Sequence, residues 1–115
     1  MQPAIEKHSN ALSKCIKQCW DCRNECQKTL YNYCLNVGHV NEEHIKIMTD
    51  CIQICQTAAD FMTRHSNLHH EICKACAIIC DNCAQSCRKI EDEQMESCAH
   101  FCEQCAQSCQ AMAKG

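Results

Sequence analysis

The residues best equipped for chemistry in this chain are its 16 cysteines, placed among 115 positions. Their spacing is regular. The pattern C-x3-C-x2-C-x3-C occurs three times, as CIKQCWDCRNEC from Cys15, CAIICDNCAQSC from Cys76 and CAHFCEQCAQSC from Cys98. Alternating steps of four and three residues mark one face of an α-helix. At about 100° per residue, Cys15, Cys19, Cys22 and Cys26 fall within an arc of about 60°. Cys98, Cys102, Cys105 and Cys109 repeat that arc, and Cys73, Cys76, Cys80, Cys83 and Cys87 extend it by one step. A further stripe reads His44, Met48, Cys51, Cys55, Ala58, Met62 and His65. Cys34 stands alone, about 80° from the direction of Cys26.

These are the inward positions that leucine and isoleucine fill in an ordinary helical bundle. Cysteine buries well as a small apolar residue, but a set of 16 in register is too large for packing alone. Disulfides within a helix do not fit: side chains at i and i+4 stand about 5–6 Å apart at Cβ, whereas a cystine needs about 3.8 Å. Metal ligation fits better. Structural zinc and iron–sulfur clusters usually take their cysteines from knuckles and loops, and the C-x2-C-x2-C run is absent. Cu(I) is soft and prefers thiolates. Seven C-x3-C pairs (15/19, 22/26, 51/55, 76/80, 83/87, 98/102 and 105/109) each place two sulfurs on successive turns.

Charge points the same way. Buried thiolates without counter-ions are prohibitively costly. One monovalent ion per thiolate cancels the charge, which predicts about one Cu(I) per cysteine. Divalent zinc or cadmium neutralises the core at about half that number, so metallothionein-like sequestration is the alternative, with an iron–sulfur electron carrier behind it.

Composition bounds the rest. With cysteine set aside, apolar residues make up about a third of the chain. The net charge of −3 comes without a basic block, which argues against nucleic acid or an anionic membrane as partner. No apolar run approaches the about 18 residues of a membrane span. The opening MQPAIEKHSNALSK has neither a basic n-region nor an apolar h-region, which predicts a cytoplasmic protein with reduced thiols. No carboxylate dyad is placed for catalysis, so a non-enzymatic role is expected.

The elements that must carry the stripes are helices. Two glycines and one proline leave few breaks. Gly38 suits a helix end, Asn41 and Asp92 suit N-caps, and Ser66-Asn67 is a further break. The expectation is a single all-α domain over 1–115. It is an antiparallel up-down-up-down four-helix bundle with a cysteine-lined core and helices near 4–36, 42–65, 68–89 and 93–113.

That topology gathers His8, Met62, His65, His69, His70 and Met112 at one end. Histidine and methionine exchange Cu(I) more readily than thiolates do, so His8, Met62, His65, His69 and Met112 are candidate ligands at a mouth. The opposite end holds Cys34, His39, His44, Met48 and Met95, with Leu30, Tyr31, Tyr33 and Leu35 available to plug it. His100 is expected to face outward, about 200° from Cys98. Trp20 and Phe101 lie off the stripes and suit either a contact surface or packing at the edge of the core.

The three repeated cysteine runs, the histidines near the helix ends and the lack of an export signal together resemble the cytosolic copper storage proteins, often mistaken for ferredoxins. The resemblance covers nearly the whole chain. It implies a homotetramer of bundles that store or buffer Cu(I), with ions admitted at one bundle end.

Overall fold

A computed structural model describes residues 3–37 and 41–114, with side chains over 10–36 and 41–114. Helix α1 runs over Pro3–Thr29, continues through a π-helical segment, Leu30–Cys34, and closes with an α turn, Leu35–Val37. Helices α2 (Glu42–Thr63), α3 (His69–Arg88) and α4 (Glu93–Ala113) follow, and no strand occurs among the described residues. Each helix packs on its two neighbours around a ring, giving an up-down-up-down bundle of 52 × 22 × 19 Å.

Local chemistry accounts for the boundaries. Asn41 Oδ1 accepts a hydrogen bond from the His44 N–H at 2.8 Å and caps α2. Asp92 Oδ1 accepts from the Gln94 N–H at 2.8 Å and caps α4. Glu42 and Glu43 in one first turn, and Glu93 and Glu96 in the other, complement the positive helix ends. Gly38, expected to end the first helix, lies outside the described residues. Helix α2 ends at Thr63, two residues short of the expected 65. The Ser66 N–H bonds Phe61 O at 2.9 Å and the His65 N–H bonds Met62 O at 3.0 Å. This is a Schellman closure, with His65 in the left-handed conformation (φ 54°) that glycine usually takes.

The interior is sulfur. All 16 cysteines are free thiols and all are buried. Met48, Met62 and Met95 are fully enclosed, and among the described residues Leu12 and Leu30 are the only branched aliphatic side chains in the core. Isoleucines 16, 45, 47, 52, 54, 72, 79 and 90 are half-buried along the seams. The apolar residues therefore seal the edges of a thiol interior. Trp20 and Phe101 pack against the core from these flanks, and His100 is exposed. A polar seam fixes α1 against α4. Gln94 Nε2 donates to Thr29 Oγ1 at 2.8 Å, and Ser97 Oγ donates to Glu25 Oε2 at 2.8 Å.

Candidate metal centre

The stripes meet in four overlapping thiol groups, each with its Sγ atoms within 4.8 Å of one another. Nearest the end where α2 stops and α3 begins are Cys15, Cys73 and Cys109. Cys109 also belongs to the next group, with Cys19, Cys76 and Cys105. Cys105 is shared in turn with Cys22, Cys55 and Cys80, a group that takes one thiol from each helix. Cys22 then joins Cys26, Cys51 and Cys102. Beyond them Cys98 lies 3.4 Å from Cys26. The C-x3-C spacing survives inside groups as 22/26 and 105/109, but ligand sets form mainly across helices.

Neighbouring sulfurs sit 3.4–4.0 Å apart. A metal about 2.3 Å from each of four sulfurs places them about 3.8 Å from one another, so the groups are already close to coordination geometry. Hydrogen bonding among the thiols divides them by acidity. Bonds from Cys109, then Cys19, Cys22 and Cys55, hold Cys105 well below the ordinary thiol range, while its bond to Cys105 holds Cys109 well above it. Cys87 is likewise held high by its bonds to Cys83 and Cys98.

Cys34 differs from the regular-helix expectation. In the π-helical segment the Leu35 N–H bonds Leu30 O, which fits one extra residue into the turn. That residue turns the later positions back by about 100°, and the expected 80° offset becomes about −20°. Cys34 therefore points inward, 1% exposed, with its Sγ 3.8 Å from Met48 Sδ. Burial pushes its thiol up to about 11.

At the end expected to form a mouth, Met62 is fully buried and Met112 nearly so. His69 and His70 are half-buried with ring centroids 4.0 Å apart. His69 Nδ1 lies 2.8 Å from Ser66 O, and His70 Nδ1 lies 2.8 Å from Met112 O, tying α3 to the end of α4. His65, expected to continue the α2 stripe, leaves it: it lies beyond the helix end, exposed and left-handed. The His8 side chain and His39 lie outside the described residues.

At the opposite end Leu30 is buried, but Tyr31 and Leu35, expected as plugs, are 59% and 48% exposed. The π segment carries Leu30 and Cys34 inward and turns these two out. The Tyr33 hydroxyl instead donates to Asp92 Oδ2 at 2.9 Å. His44 is buried, and its hydrogen bond with Ser86, 42 residues away, leaves no trace in local sequence.

Fold and site together define a class: a four-helix bundle whose interior is a run of shared thiol groups able to hold many soft metal ions. A sequence profile described as copper storage protein matches residues 8–114. This chain belongs to the copper storage protein family. It is similar to the Nmul_A1745 protein of Nitrosospira multiformis, at 39% identity and a TM-score of 0.88 over 92% of this chain and 97% of that one. It is also similar to copper storage protein 3 of Bacillus subtilis, whose apo form matches at 34% identity and a TM-score of 0.80 over 86% and 95% of the two chains. That protein is known in a Cu(I)-bound form as well. A cytosolic copper storage protein of Streptomyces lividans, loaded with five coppers, matches at 28% identity and a TM-score of 0.83 over 92% and 94%.

Proposed function

We propose that this chain stores Cu(I) in the cell interior, with the 16 cysteines as thiolate ligands and a capacity of about one ion per cysteine. The observation that carries this reading is the continuous series of groups sharing Cys109, Cys105 and Cys22. A monovalent ion for each thiolate leaves the dry interior neutral. The copper held by the Bacillus and Streptomyces relatives supports the choice of metal, and the cytosolic description of the Streptomyces protein supports the compartment. The role is storage without catalysis, and the four helices act as one domain.

Ions are admitted at the end bearing Met62, His69 and Met112, with His8 and His65 as outer ligands. Cys15, Cys73 and Cys109 are the first thiols they meet. The chain assembles as a homotetramer, and the exposed Ile78 beside a groove of 590 Å³ between α3 and α4 offers it a contact surface.

The test is an anaerobic titration of reduced protein with Cu(I) against a competing chelator. Saturation near one ion per cysteine is the expected result, and saturation at one or two ions refutes storage. Retention of Zn(II) at about half the cysteine count after purification would instead establish the metallothionein-like alternative.

A further inference from the structure

The far end of the bundle holds a buried imidazole with one nitrogen left over. His44, in the first turn of α2, is 2% exposed. Its Nδ1 lies 2.7 Å from Ser86 Oγ on α3. Its Nε2 is enclosed and has no hydrogen-bond partner among the described residues. Buried polar atoms are nearly always paired, so this one needs a use.

Two soft donors lie at the same end of the bundle, in contact with each other. Met48 lies one turn further along the same face of α2, fully buried, with its Sδ 3.8 Å from Cys34 Sγ. Cys34 belongs to none of the four thiol groups, and the π-helical segment is what directs it here. The hydrogen bond at Nδ1 completes the arrangement. If Nδ1–H donates to Ser86 Oγ, Nε2 keeps its lone pair, and the ring is fixed as a metal-ligating histidine is fixed by its outer hydrogen bond. Burial lowers the proton affinity of His44 and so favours the neutral ring.

We propose that His44 Nε2, Met48 Sδ and Cys34 Sγ form a separate Cu(I) site with mixed nitrogen, thioether and thiolate donors. The inference rests on the Cu(I) reading for its metal. Binding releases the Cys34 thiol proton to solvent, so one thiolate balances one Cu(I) and the pocket stays neutral. With a single thiolate, the site binds more weakly than the all-thiolate groups. It therefore fills last and empties first.

The test uses the full chain, reduced and 15N-labelled, titrated anaerobically with Cu(I) in the presence of a chromophoric Cu(I) chelator. The His44 Nε2 resonance should move only in the last equivalents. His44→Gln and Met48→Leu should each saturate one ion short of wild type. Met48→Leu conserves volume, and helical circular dichroism verifies that it folds. A His44 ring unmoved up to saturation, with a wild-type ion count in Met48→Leu, overturns the site and leaves storage standing. Wild-type saturation at one or two ions with the His44 ring displaced refutes storage and keeps the site. The same low saturation with the ring unmoved refutes both.

Discussion

Replacing Cys105 with alanine tests the shared-group reading most sharply. The Cys105 sulfur lies within 3.6–4.0 Å of five others, those of Cys19, Cys55, Cys76, Cys80 and Cys109. Removing it forfeits those contacts, at about 0.1–0.2 kcal/mol each. It also forfeits the transfer of one methyl-sized group from water, about 0.8 kcal/mol. The apo protein should lose about 1.5 kcal/mol, a fall of roughly 7 °C in melting temperature for a domain of this size. The copper count should fall further than that modest loss suggests. Cys105 serves two groups, so its loss should remove about two ions where an unshared thiol removes one. Cys34→Ala, whose sulfur belongs to none of these groups, is the control and should lose no more than one. Calorimetry on apo protein and Cu(I) titration on both variants supply the numbers. Equal losses from the two variants would refute the claim that adjoining sites share ligands.

Three further outcomes are expected. His65→Gly relieves the left-handed strain of a side-chain-bearing residue and should stabilise apo protein by about 1 kcal/mol in denaturant unfolding; if His65 also admits ions, stopped-flow uptake slows while the final count holds. Because the folded Cys34 thiol is raised from 9.0 to about 11, its stabilising effect is fully present below pH 9.0 and disappears as pH rises through about 11. Melting curves of wild type and Cys34→Ser should converge over that window, and a constant gap would contradict the burial argument. Tyr33→Phe deletes the hydroxyl that donates to the α4 cap, and Asp92→Ala deletes the cap itself; each should cost about 1 kcal/mol by thermal unfolding. The double variant should cost less than the two together, because both remove the same bond.

The bundle was legible because cysteine here obeys the helical period. Steps of four and three fixed the inward faces, and Asn41 and Asp92 fixed two helix starts through side chains that can accept from N–H groups. What stayed hidden depends on how one helix slides against another. Nothing in the spacing of Cys105 tells that it lies level with both Cys19 and Cys55. The π-helical segment was equally hidden, since Leu30, Tyr31, Asn32, Tyr33 and Cys34 carry no residue-type signature for an extra residue in the turn. Counting at a constant 100° therefore turned Cys34 away from the core and left Tyr31 and Leu35 as plugs. His65 was misplaced for a related reason: the stripe continues in sequence after the helix has closed.

The sharing of Cys109, Cys105 and Cys22 also bears on traffic. A vault divided into sealed compartments would need a door for each. Here an ion can move along the axis by swapping one sulfur at a time, handed forward before it is let go, and never crosses the dry interior bare. With entry at one end, as proposed above, a single opening serves the whole depth. Because every step is an exchange of ligands, the contents settle by affinity and not by order of arrival, so the all-thiolate groups are expected to keep their copper longest.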